Sequence, residues 1–102
     1  MNKHQRRYDL LQQIGCIACS IEDAGYAAPD CHHIVEGNKR LGDEYTLPLC
    51  PWHHRGVLPT KPGPSLAKSK REFVARYGTE RELLEKVDRL IRLEQYKTVG
   101  YG

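Results

Sequence analysis

The sequence is short of large aromatic and apolar side chains. Its 102 residues include one Phe, one Trp and one Met. So thin a supply for a core favours a structural metal as an additional source of folding energy. No apolar run approaches the ~18 residues that a membrane span needs, so no membrane association is expected. The basic start, Met1-Asn2-Lys3-His4-Gln5-Arg6-Arg7, is followed by no apolar segment of the kind a secretory signal carries. Repeats and low-complexity stretches are missing as well. Neither sign of charge dominates: 16 Lys and Arg stand against 13 Asp and Glu, a net charge of +3. That balance is compatible with a nucleic-acid partner without requiring one. At this length one domain over residues 1–102 is expected.

What the sequence does have is metal-binding side chains, concentrated in the first half. Cysteines number four and histidines five. Cys31-His32-His33 and Cys50-Pro51-Trp52-His53-His54 each place a doubled histidine beside a cysteine, and Cys16 and Cys19 form a CxxC upstream. A cytoplasmic chain keeps its thiols reduced, so metal ligation is favoured over disulfides. These are too many ligands for one four-coordinate ion, which points to a structural site and a chemical site.

Local patterns give an α+β expectation. Residues 3–14 read as a helix stopped by Gly15. Residues 20–30 read as loop. Residues 31–35 and 45–49 read as strands, joined by the turn-rich connector Gly37-Asn38-Lys39-Arg40-Leu41-Gly42-Asp43. Pro51 suits the first position of a short helix that carries His53 and His54 and ends near Gly56. After a proline-rich connector at 59–64, Ser65 is expected to cap a helix over 66–77 ended by Gly78. Thr79-Glu80-Arg81-Glu82 is a capping box. Leu83, Leu84, Val87, Leu90 and Ile91 mark the apolar face of the helix it starts. Both C-terminal helices, together about 65–96, read as scaffold, and the tail from Thr98 reads as frayed.

A structural zinc takes four Cys or His ligands, often as two closely spaced pairs. Cys16-x-x-Cys19 is one pair and Cys50-x-x-His53 has the same spacing. The rival set replaces His53 by Cys31; otherwise Cys31 is a small buried hydrophobe beside the site. Adjacent helix residues point about 100° apart, so His53 and His54 are expected to serve different ions. Adjacent strand residues also diverge, so one of His32 and His33 can hold a second metal while the other acts as a base. Imidazole, with an ordinary pKa near ~6.5, suits proton transfer around neutrality.

The segment from Cys16 to Gly56 resembles the HNH, or ββα-metal, endonucleases. The resemblance rests on the CxxC, on His32-His33, and on Pro48-Leu49-Cys50-Pro51-Trp52-His53-His54. It implies a zinc-stabilised ββα core over about 31–57 with flanking helices. It implies zinc on Cys16, Cys19, Cys50 and His53, with His53 replacing a usual fourth cysteine. It implies a catalytic divalent metal (Mg²⁺, Mn²⁺ or Zn²⁺) on His32 and His54, with His33 as general base. The Asn that orients the base in that family is missing; Thr46, Tyr45 or a backbone carbonyl lies near its place. Lys39, Arg40 and Arg55 flank the motif as phosphate contacts. Over most of the chain, "CHHIVEG…YTLPLCPWHHRG" and "GPSLAKSKREFVARYGTERELL" are similar to the phage recombination-enhancing, RecA-dependent nucleases. That resemblance implies DNA and a RecA filament as partners, in the cytoplasm of a bacterial host. It implies hydrolysis of DNA phosphodiester bonds; nothing in the sequence looks like a base-reading helix, so low sequence specificity is expected. The competing expectation is a non-catalytic zinc module that binds DNA or protein; it leaves His32, His33 and His54 without a role.

Overall fold

The computed structural model describes residues 3–99. Helix α1 (Lys3–Ile14) stops where Gly15, at φ 81°, returns its N–H to the Leu11 carbonyl at 2.9 Å. That positive φ is one that glycine adopts without a Cβ penalty. A second, short helix follows at once, α2 (Ile17–Ile21), where loop was expected from residue 20 onward. Its residues Ile17, Ala18 and Cys19 are buried. A loop then leads to β1 (Asp30–His33).

Strand β1 pairs antiparallel with β4 (Thr46–Leu49), with Asp30 opposite Leu49 and His33 opposite Thr46. The first strand therefore ends two residues earlier than its apolar pattern predicts. The chain breaks there because Ile34 is drawn into the core. The expected connector contains its own small hairpin, β2 (Val35–Glu36) with β3 (Lys39–Arg40). Its turn residues Gly37 and Asn38 both take positive φ, at 57° and 61°, as a two-residue hairpin turn requires.

All four residues of β4 are buried, including Pro48, which is tolerated in a two-stranded sheet because it need not donate on both sides. Helix α3 (Pro51–Arg55) follows, with Pro51 in its first turn and Gly56 at φ 73° closing it. A strap then crosses α3. The N–H groups of Leu66 and Ala67 reach the His53 and His54 carbonyls at 2.8 and 3.2 Å, satisfying the helix's last acceptors.

Helix α4 (Lys70–Tyr77) begins four residues later than predicted. Ser65 caps only a turn, accepting from the Lys68 N–H at 3.2 Å, because Leu66 is pulled towards α3. Helix α5 (Glu80–Val99) has the expected reciprocal cap: Thr79 N–H to Glu82 Oε1 at 2.8 Å and Glu82 N–H to Thr79 Oγ1 at 3.1 Å. It runs to Val99, past the Thr98 where fraying was expected; the rest of that tail lies outside the described residues.

The core sits between β4 and the helices. Leu47 and Leu49 meet Leu11, Ile17, Phe73, Leu83 and Val87 in one buried cluster. Among the described residues no helix is long and apolar enough to cross a membrane. Thr79→Ala is expected to lower stability by about 1 kcal/mol, the usual cost of losing an N-cap, in a chemical denaturation series, with bound zinc unchanged.

Candidate metal centres on the hairpin and α3

Four side chains converge behind β4. Cys16 caps the start of α2 and Cys19 lies one turn on, so the CxxC presents both sulfurs to one side; Cys16 Sγ also accepts from the Cys19 N–H at 3.4 Å. Cys50 caps α3 and His53 is one turn along it. His53 Nδ1 lies 3.5 Å from Cys16 Sγ, 3.5 Å from Cys19 Sγ and 3.3 Å from Cys50 Sγ. The Cys19 and Cys50 sulfurs are 3.8 Å apart. A tetrahedral zinc with Zn–S of about 2.3 Å and Zn–N of about 2.0–2.1 Å requires sulfur–sulfur spacings of about 3.8 Å and sulfur–nitrogen spacings of about 3.5–3.6 Å. The donor set and its spacing fit zinc. Cys31 stands outside the cluster, half-buried opposite Pro48 at the edge of the core. Of the two ligand sets, the structure assembles the one with His53.

The surroundings suit a ligating imidazole. His53 is fully buried, and burial holds its pKa below the ordinary value, favouring the neutral ring. Its Nε2 donates to the Pro62 carbonyl at 2.7 Å, leaving Nδ1 unprotonated towards the sulfurs. The Tyr77 hydroxyl, 3.3 Å from Nε2, donates to Glu22 at 2.7 Å. Arg76 and Tyr77 hold the Glu22 carboxyl far below its ordinary value, at about 2. Burial pushes the thiols of Cys16 and Cys19 upward, so without a cation they stay protonated. Gly63 lets the strap approach: a Cβ there would lie 1.9 Å from the Tyr77 hydroxyl oxygen. Trp52 Nε1 donates to the Gly63 carbonyl at 3.0 Å and fixes the same stretch.

A second group lies on the other side of α3. His54 Nε2 faces His32 Nδ1 at 3.2 Å. The far nitrogen of each ring meets a carboxylate: His32 Nε2 is 2.9 Å from Glu80 Oε2, and His54 Nδ1 is 3.0 Å from Asp30 Oδ2. The hydrogen bond with His32 is the main cause that holds the Glu80 carboxyl below its usual range. Burial raises Asp30, but the bonds from His54 and Arg55 outweigh it and hold that carboxyl low too. A carboxylate acceptor needs an N–H, so each outer nitrogen carries a proton; in the neutral form of each ring the inner nitrogen is then a lone pair. Two lone pairs facing each other favour a cation between them. An ion about 2.1 Å from both, at an angle between about 90° and 110°, sets a spacing of about 3.0–3.4 Å, which the pair matches.

His33, next along β1, turns elsewhere. Its Nε2 lies 2.9 Å from Asp43 Oδ1, and Arg40 Nη2 lies 2.9 Å from both ring nitrogens. Thr46 lies opposite His33 across the sheet, but its hydroxyl donates to the Asp43 carbonyl at 2.9 Å and accepts from Arg7 Nε at 2.7 Å. The carboxylate at the ring is Asp43. Arg55 Nε donates to Asp30 at 3.1 Å, and Lys39 is exposed on β3. Sequence reasoning missed Asp30, Asp43 and Glu80. Asp30 carried a signal, being two residues ahead of His32. Asp43 read as a turn residue. Glu80 read as a helix-start acid, and nothing local connects it to a histidine 48 positions away.

A family model described as "Recombination enhancement, RecA-dependent nuclease" matches residues 2–92. The chain belongs to that family. No curated protein and no solved structure matches it. The match runs through both histidine pairs, all four cysteines and most of α5.

Cys19→Ser in this nuclease is expected to lose the tightly held ion and to broaden and lower the thermal transition, read by metal analysis and differential scanning calorimetry. Cys31→Ser is expected to keep the ion.

Proposed function

We propose that this RecA-dependent nuclease is a metal-dependent endonuclease of the HNH type that hydrolyses DNA phosphodiester bonds with low sequence specificity. The observation that supports this most is the convergence of His32 Nδ1 and His54 Nε2, on a strand and helix that also carry His33 and half of the cysteine site. The hairpin β1–β4 followed by α3 serves as the ββα-metal unit, and zinc on Cys16, Cys19, Cys50 and His53 holds it in shape.

His32 and His54 would hold the catalytic ion. Bound there, such an ion would supply Lewis-acid chemistry, polarising the scissile phosphate and offsetting charge on the departing 3′-oxygen. Two protein ligands leave positions open for phosphate and water oxygens, which suits Mg²⁺ or Mn²⁺ as well as Zn²⁺. His33 takes the proton from the attacking water. Asp43 holds the proton on Nε2 and turns Nδ1 outward as the base. Arg40 lies against the His33 ring in the free protein; a bound phosphate draws its guanidinium away and opens Nδ1. Arg40, Arg55 and Lys39 position the backbone of the substrate. The products are a 5′-phosphate and a 3′-hydroxyl. The family description supports DNA coated by a RecA filament as the natural substrate.

The test is cleavage of plasmid and single-stranded DNA, with and without RecA filament, in Mg²⁺, Mn²⁺ and Zn²⁺. His33→Ala is expected to cut at least about a hundredfold more slowly, the low end of general-base contributions, with zinc content unchanged. Undiminished cleavage would remove His33 from the role of base. No cleavage by the native chain under any of these conditions would favour a non-catalytic zinc module.

A further inference from the structure

The geometry points to Asp30 as a positioning residue that forces His54 into its less favoured tautomer, so that the His32–His54 pair is open to a metal before the metal arrives. This rests on the reading of that pair as the catalytic centre, and it concerns a residue outside the ligand set.

A free imidazole side chain in water prefers its proton on Nε2. His32 keeps that preference: its Nε2 meets Glu80, and its Nδ1 is left to face the centre. Glu80 therefore anchors a ring whose tautomer is already favourable. His54 is the opposite case. It presents Nε2 to the centre, so it is useful only if the proton sits on Nδ1. Asp30 Oδ2 stands 3.0 Å from that Nδ1 and accepts it. Without Asp30 the proton returns to Nε2, where the acceptor waiting at 3.2 Å is His32 Nδ1. The two rings would then hydrogen-bond to each other and the centre would be closed by its own ligands. Asp30 thus decides between a pair that binds a cation and a pair that binds itself.

Each carboxylate also has an exposed cation beside it. Arg55 donates to the same Asp30 oxygen at 3.1 Å, with its side chain 55% exposed. Lys70 Nζ lies 3.7 Å from the other Glu80 oxygen, with its side chain 70% exposed. Asp30 is fixed at the first residue of β1 opposite Leu49, so its position comes from the sheet and not from Arg55. Glu80 comes from the first turn of α5.

The experiment uses zinc-loaded full chain at mildly alkaline pH. Long-range ¹H–¹⁵N NMR assigns the His54 tautomer before any second ion is added, and calorimetric titration with Mn²⁺ then gives the affinity of the pair. The native protein is expected to show the proton on Nδ1. Asp30→Ala is expected to move it to Nε2 and weaken Mn²⁺ binding by about 10–100-fold, the usual range for losing a carboxylate behind a ligating histidine. Arg55→Ala is expected to leave the tautomer on Nδ1. Amide spectra and zinc content show whether Asp30→Ala is folded; should it not be, Asp30→Asn, whose amide oxygen still accepts but without charge, is expected to give a mixture of tautomers and intermediate affinity. A native His54 protonated on Nε2, or an Asp30 variant with unchanged tautomer and affinity, overturns the assignment. A native protein with the proton on Nδ1 but no Mn²⁺ bound supports the tautomer assignment and contradicts the nuclease reading beneath it.

Discussion

Three thiols and one imidazole, all buried and with ligand atoms within 4.8 Å of one another, tie the start of α2 to the start of α3. Cys16 and Cys19 belong to the start of α2, and Cys50 and His53 to the start of α3. The hairpin lies between those pairs in sequence. Fixing both ends of that segment fixes where β1 and β4 end, and so where their histidines point. The spacing of the donors makes a cation their natural partner. The strap from Val57 onward, with Pro62 behind His53 and Leu66 on α3, closes the back of the site.

One helical step then separates the structural from the chemical. His53 and His54 are neighbours on a five-residue helix, and the ~100° between them sends one into the cysteine cluster and the other towards His32. The placement of both histidines is therefore set by the same short helix.

Much of this was legible because it depends on short-range spacing. The two Cys-containing pairs share an i, i+3 interval, and the Thr79–Glu82 cap is a local exchange of hydrogen bonds. Gly15 and Gly56 ended their helices as expected. The misses depend on long-range geometry. Ser65 looked like a cap, but Leu66 is captured by the end of α3 and delays α4 to Lys70. Thr46 looked like the partner of His33 from its place in the family pattern; Arg7, brought in from α1, takes it instead. Glu80 is the clearest case. Its place in the first turn of α5, where an acid is ordinary, hid its contact with His32 across 48 residues. The C-terminal helices read as scaffold, yet α5 supplies one of the groups that orient the second centre.

The account stands on two distinct metal centres set back to back on α3. Native mass spectrometry of the zinc-loaded chain in Mn²⁺ tests this most directly, with His53→Ala and His54→Ala beside it. The account predicts one ion that survives dialysis and a second that exchanges. His54→Ala should lose only the exchangeable ion, and His53→Ala should lose the retained one. A native chain that never takes more than one ion, or a His54→Ala chain that sheds its zinc, would contradict it.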